Sequence, residues 1–229
     1  MSSESPIQLE FSNKYDQAHS EQYFHKHRGG ISRRLTDWRE KRLARQALAA
    51  VGHPETVLDL PCGAGRFWPM LLERPGRRLL AADNSPHMIE TALRFQPPEV
   101  VARVSAFQTS AFAIDLEAEA VDCVFCMRLL HHVERPEHRL AILREFHRVS
   151  RGSAIVSLWV GGNFKAWRRR LRDVRQPAAA GAGKNRFVLP AAVVEAEFAA
   201  AGFDIVARHD LLPRYAMWRV YALRKKPSR

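Results

Sequence analysis

Two aspartates and two glycines near the start of the chain have the types and spacing for ligand chemistry. Asp59 lies in the apolar run Thr56 to Leu60 (TVLDL), and Asp83 closes a second run, Arg78 to Ala82 (RLLAA), 24 residues later. Between them the turn Pro61-Cys62-Gly63-Ala64-Gly65 carries two residues without a Cβ. There the backbone can bend sharply and approach a ligand closely. A carboxylate at the end of the second strand can accept hydrogen bonds from both hydroxyls of a ribose. The pattern therefore points to a nucleoside-like ligand at the ends of two strands.

A pyrophosphate-bearing dinucleotide fits poorly. Its Gly-rich fingerprint needs a third small residue where the helix packs on the strand, and counted from Gly63 that position is Trp68. Asp59, inside the approach to the turn, would also repel a pyrophosphate. A sulfonium cofactor has no phosphates and carries a cationic amino group, which an aspartate there suits. Methyl transfer from such a donor is an in-line displacement that mainly requires the nucleophile to be held close and aligned.

Other residues have both a chemical and a bland reading. His131, in the pair His131-His132 past the fourth apolar run, reads as a general base with a pKa near neutrality. It also reads as a partner for loop backbone groups, which is favoured because a single His brings no triad geometry. Arg128, in the same loop, either meets an anionic substrate or faces solvent. Cys123 and Cys126 form a C-x-x-C without a second pair at zinc spacing; residues three apart on a strand face opposite sides, so both read as buried strand cysteines. Tyr15 and Tyr23, in an aromatic N-terminal stretch that reads either as a lid over the site or as a leader, are further catalytic candidates.

These residues need a scaffold of alternating strands and helices. Strands are expected at 56–60, 78–82, 101–107, 121–127, 153–160, 203–208 and 216–224, the last two pairing with each other. Helices are expected at 33–51, from Phe67, from Ser85-Pro86, at 136–149 and at 190–201. Ser85 is a candidate N-cap with Pro86 at the first helical position. Such alternation predicts an α/β fold with a mostly parallel sheet and helices on both faces. Ligands of that architecture bind at the carboxyl ends of the strands. Residues 1–32 read as a leader or lid, and 33–229 as one domain with a basic insertion at about 161–186.

With these landmarks the sequence resembles the class I, Rossmann-like S-adenosylmethionine-dependent methyltransferases over roughly residues 35–225. Val57 to Phe67 (VLDLPCGAGRF) resembles the first motif of that family. LLAADNSPHMI resembles the second, and Phe107 to Ala111 lies where an acid often meets the adenine. VDCVFCMRLLHHV and LREFHRVSRGSAIVSLWV resemble the fourth strand, the next helix and the fifth strand. FDIVARHDLLPRYAMWRVYALRK resembles the antiparallel final pair. The resemblance implies a seven-stranded sheet with an antiparallel final strand and S-adenosyl-L-methionine as cofactor. Asp59, Gly63, Gly65, Asp83, Asn84, Met88, Thr109 and Ser110 are its implied contacts, with Met88 flanking the adenine. Pro61 replaces the first glycine of the family loop; its φ near −65° leaves the close contacts to Gly63 and Gly65. Thr109 and Ser110 stand where the acid is usual.

Composition bounds the acceptor and partner. The 229 residues are 46% hydrophobic and 26% charged, which fits a globular domain. Three cysteines make no disulfide framework, the N-terminus has no signal-peptide pattern, and no apolar run reaches membrane-spanning length, so a cytoplasmic protein is expected. The net charge of +12 is concentrated in two places. Residues 25–46 hold eight Lys and Arg against two acids, and residues 161–186 hold eight against one. Both favour an anionic partner. A small or lipid-linked O or N acceptor is the first expectation. An acidic protein methylated on lysine comes next, then RNA, which ranks lower because no separate RNA-binding module is visible. A non-catalytic cofactor-binding subunit is the reading from outside the enzyme class.

Overall fold

A computed structural model describes residues 31–175 and 186–227; Tyr15, Tyr23, most of the expected leader and residues 176–185 of the basic insertion lie outside them. Helix α1 (Ile31–Ala50) leads into strand β1 (Thr56–Asp59) and the short helix α2 (Trp68–Leu71). Strand β2 (Arg78–Asp83), helices α3 (Pro86–Phe95) and α4 (Pro98–Val101), and strands β3 (Val104–Gln108) and β4 (Val121–Cys126) follow. A 3-10 turn (Leu130–His132), helix α5 (Pro136–Val149), strand β5 (Ser150–Trp159) and helix α6 (Phe164–Arg175) come next. Helix α7 (Ala191–Ala200) and strands β6 (Phe203–Asp210) and β7 (Trp218–Lys225) complete the described chain.

The strands form one seven-stranded sheet in the order β3-β2-β1-β4-β5-β7-β6. β1 to β5 are parallel, and β7 runs antiparallel to both β5 and β6. Strand order reverses between β1 and β4, which opens a crevice at their carboxyl ends. Asp59 stands at that crevice.

The sheet is buried because successive side chains serve two cores. On β4, Val124 and Cys126 join Ile142, Phe146 and Phe198 beneath α5 and α7. Cys123 and Phe125 point the other way, toward Leu48, Trp68 and Leu71 beneath α1 and α2. The two cysteines thus lie on opposite faces as reduced thiols, and burial pushes the Cys123 thiol up to about 12.

Several boundaries differ from expectation, three of them for a local reason. α1 begins at Ile31, so residues 31 and 32 belong to the first helix rather than the leader. Its C-terminal half buries Leu43, Ala47 and Leu48, whereas Leu35 and Trp38 are exposed. β3 starts at Val104 because Pro98 opens a turn of helix through Val101. β5 starts at Ser150, directly after α5. At the start of α3, Ser85 takes the N-cap position ahead of Pro86.

Arg139 locks α5 to α7 from the interior. It is 2% exposed, donates to both Glu197 carboxylate oxygens at 2.9 and 2.5 Å, and reaches the carbonyls of Val133 and Glu134. Removing one partner of such a pair leaves a buried charge without compensation. Arg139→Ala is expected to lower the unfolding free energy by about 3–5 kcal/mol in urea denaturation. A loss comparable to that of an exposed pair such as Arg208–Glu195 would refute this account.

Candidate functional site

The turn after β1 is held from both neighbouring strands. Leu60 N–H donates to the Phe125 carbonyl of β4 at 3.0 Å, and Cys62 N–H to the Ala82 carbonyl of β2 at 2.8 Å. The Asp83 carboxylate accepts from Gly63 N–H at 2.9 Å and from Ser85 N–H at 2.9 Å. The Gln96 amide of α3's end donates to the Ala64 carbonyl at 2.8 Å. The Leu60–Pro61 peptide is cis, and Gly63 and Gly65 have φ of 52° and 70°. A Cβ on Gly65 would lie 2.8 Å from the Trp68 ring, while one on Gly63 would meet nothing within 4 Å. Gly65 is therefore required by packing, and Gly63 faces open space.

Asp59 and Asp83 are both buried, at 1% and 8% exposure, but their situations differ. Burial raises the Asp83 pKa, and its backbone hydrogen bonds to Ser85, Gly63 and Asn84 pull it back. Neither oxygen of Asp59 has a hydrogen-bond partner. Burial first, and then the charge of Asp83, hold the Asp59 carboxyl well above the usual range; the nearby Trp68 indole opposes this, although its N–H completes no hydrogen bond. A buried carboxylate without a partner is costly, and a ligand cation is the chemistry that relieves it. The Cys62 thiol, between the two acids, is pushed up by burial and by both charges.

The remaining predicted cofactor residues surround Asp83. Asn84 follows it, and its carbonyl accepts from the Gln108 amide at 3.1 Å. Met88 is buried in the first turn of α3. Thr109 N–H donates to the Asp83 carbonyl at 3.1 Å, which sets the end of β3 beside β2. Both hydroxyls are used locally: Thr109 Oγ1 donates to the Ala113 carbonyl and accepts from Asp115 N–H, and Ser110 Oγ accepts from Phe112 N–H.

Residues 57–152 match the model of the methyltransferase domain family. Over that stretch the chain matches a methyltransferase domain, and its seven-stranded sheet is the fold of solved methyltransferases. It is similar to an uncharacterized methyltransferase-like protein of Schizosaccharomyces pombe, 33% identical over 93 residues, covering 41% of this chain and 33% of the relative. A second uncharacterized methyltransferase of that yeast is 30% identical over 109 residues, 48% of this chain and 40% of its own length. The chain thus spans well under half the length of the curated relatives it matches. The fold is also that of the magnesium protoporphyrin IX methyltransferase of Synechocystis with bound SAH, at a TM-score of 0.71 and 15% identity over 94% of this chain and 99% of that one.

The residues present suit S-adenosyl-L-methionine, the cofactor that the sequence resemblance implies. Gly63 offers an open approach, the buried Asp83 carboxylate stands at the adjacent strand end, and the orphaned Asp59 suits a cationic group.

On the far side of the turn lies a cluster that the sequence did not disclose. Glu40 of α1, 3% exposed, accepts from Arg66 and, at 2.6 Å, from Arg128. Arg66 also donates to Asp37 at 2.6 Å. One buried acid thereby joins the residue after Gly65 to the loop after β4. Arg128 holds φ at 66°, its amide donates to Ser157 Oγ, and its guanidinium lies 5.1 Å from the Trp218 ring. His131 is packed 5.2 Å from Trp159 and 4.8 Å from Trp218. Arg169 and Arg186 lie over Trp159 at 5.2 and 5.7 Å. Arg128 Nε, His131 Nδ1 and Trp159 Nε1 are all buried without a partner. In the sequence Glu40 is one of two acids in a basic segment, and no local signal marks Trp159 or Trp218.

The expected near-neutral base is corrected here. Burial first, then His132, Arg186 and Arg128, push the His131 pKa down to about 2, so its imidazole is neutral and weakly basic. In the unfolded chain it titrates near 6.5 and takes up its proton first, so it removes stability as pH falls below that value. The loss grows by up to about 1.4 kcal/mol per pH unit. Denaturation midpoints of His131→Phe, compared with the parent at about pH 7 and about pH 5, are expected to show the variant losing less stability in acid. Equal losses would mean that His131 is charged in the native state.

Proposed function

We propose that this chain transfers a methyl group from S-adenosyl-L-methionine to an O or N acceptor on a small or lipid-linked molecule. The observation that carries the reading is the buried, unpartnered Asp59 beside the hydrogen-bonded Asp83 at the ends of adjacent strands. A ligand with a cationic end and a ribose addresses both acids at once. The cofactor supplies an activated methyl group; the protein's share is to hold donor and acceptor in line and to exclude water.

The cluster beyond the turn supports an oxygen acceptor that arrives anionic. His131 is a weak base, so it is poorly suited to deprotonating an ammonium or a hydroxyl. Arg128 Nε and Trp159 Nε1 are unpartnered donors, and Arg169 and Arg186 add positive charge over the Trp159 ring. Such a setting favours a carboxylate or phenolate oxygen beside a flat, apolar body.

Calorimetric titration with S-adenosyl-L-methionine tests the donor side. Asp83→Ala is expected to abolish binding, because it removes the ribose acceptor and releases Gly63. Asp59→Asn is expected to weaken binding by about 10- to 100-fold, the effect of losing one charged hydrogen bond. The same variant should melt higher than the parent without ligand near neutral pH, since a carboxyl whose native pKa is raised destabilises the fold once ionised. Asp59→Asn binding as tightly as the parent would overturn the assignment. Labelled cofactor incubated with fractionated cell extract tests the acceptor: label in small molecules or lipids is expected, and label confined to protein or RNA would replace this reading.

A further inference from the structure

Helix α6 (Phe164–Arg175) is strongly amphipathic in sequence yet has no buried residue. A helix in a soluble domain ordinarily gains most of its stability by packing its apolar stripe on a core. Here Phe164, Trp167, Leu171 and Val174 recur at helical spacing along one stripe, and three of them are exposed at 45%, 56% and 72% (Phe164, Trp167 and Val174). The stripe extends beyond the helix: Phe164 stacks on Tyr215 at 5.6 Å, Tyr215 is 44% exposed, and Leu212, three residues earlier, is 47% exposed. Helical periodicity puts Arg168 and Arg175 along one border of the stripe and Arg170 along the other. The opposite side faces the protein, where Arg169 reaches the Trp159 ring and donates to the Arg186 carbonyl at 3.0 Å.

The charges differ from Arg39, Lys41 and Arg45 of α1, in the other basic segment. In α1, Arg45 pairs with Glu73, Lys41 with Asp37, and Arg39 donates to the Leu211 carbonyl. Arg168, Arg170 and Arg175 have no ion pair among the described residues. An apolar stripe of aromatic and aliphatic residues bordered by unpaired guanidiniums matches the physical requirements of an interfacial helix. The apolar side chains enter the acyl boundary while the arginines meet anionic headgroups. Stacking surfaces alone would also serve a nucleic acid, but Leu171, Val174 and Leu212 offer no stacking face and favour lipid.

We propose that α6 docks the protein on the surface of an anionic lipid bilayer through Phe164, Trp167, Val174 and Tyr215, with Arg168, Arg170 and Arg175 on headgroups. Because Arg169 on the inner side touches Trp159, docking brings the arginine and tryptophan cluster close to the lipid surface.

Co-sedimentation of the full chain with vesicles of phosphatidylcholine, with and without phosphatidylglycerol, tests this directly. Binding is expected only with phosphatidylglycerol and is expected to weaken as salt rises. Arg168→Glu with Arg175→Glu should reduce partition by at least roughly 30-fold, from the loss of two basic contacts. Trp167→Ala with Phe164→Ala should reduce it by about tenfold or more, through lost apolar burial. Both pairs are exposed, so melting temperature and S-adenosyl-L-methionine affinity should match the parent and show that the fold is intact. Absence of binding to either vesicle, or vesicle binding unchanged by both pairs, would overturn the proposal. So would tighter binding to single-stranded RNA than to anionic vesicles. A dimer in sedimentation velocity that both pairs abolish would assign the stripe to a second copy instead.

Discussion

Two carboxylates buried side by side at the ends of neighbouring parallel strands set the terms for the whole site. Placing a charge in a low-dielectric interior is unfavourable unless hydrogen bonds or a counter-charge compensate it. Asp83 is compensated by backbone amides, and one of them, Gly63 N–H, belongs to the turn that follows Asp59. Asp59 is not compensated, and its oxygens are left for something the protein does not supply. The apolar faces of the sheet make this tolerable, because both cores are continuous up to the strand ends. Local instability and ligand specificity thus come from one arrangement.

Glu40 extends that arrangement to the other side of the crevice. It is a buried acid on the first described helix, and two arginines from separate loops converge on it. Through Arg66 it bears on the residue after Gly65, and through Arg128 on the strained residue after β4. Motion of α1 would therefore reach both the turn after β1 and the loop after β4. The pair is buried deeply enough that salt would screen it little.

Basic charge is used in two ways. Along α1, Lys41, Arg45 and Arg39 are met by Asp37, Glu73 and the Leu211 carbonyl, while Arg34 and Arg42 stay exposed. Along α6 the arginines border an apolar stripe that the fold leaves uncovered.

The sequence by itself determined the features that depend on local physics. Alternating apolar runs specify parallel strands, because a strand buried on both faces has no polar side. Pro86 and Pro136 open helices because their fixed φ suits the first turn. Gly65 is glycine because φ is positive and Trp68 lies against it. Asp59 and Asp83 were legible because their positions at strand ends follow from those runs. The start of β3 is not legible locally, because Val100 and Val101 suit a strand as well as a short helix, and Pro98 decides for the helix. Only the tertiary structure brought Glu40, Arg66 and Arg128 together, or Trp159 and Trp218 around His131. These contacts join residues from 26 to 88 positions apart, and no periodicity reports such a distance. The same holds for His131, whose weak basicity comes first from burial, with His132, Arg186 and Arg128 adding to it.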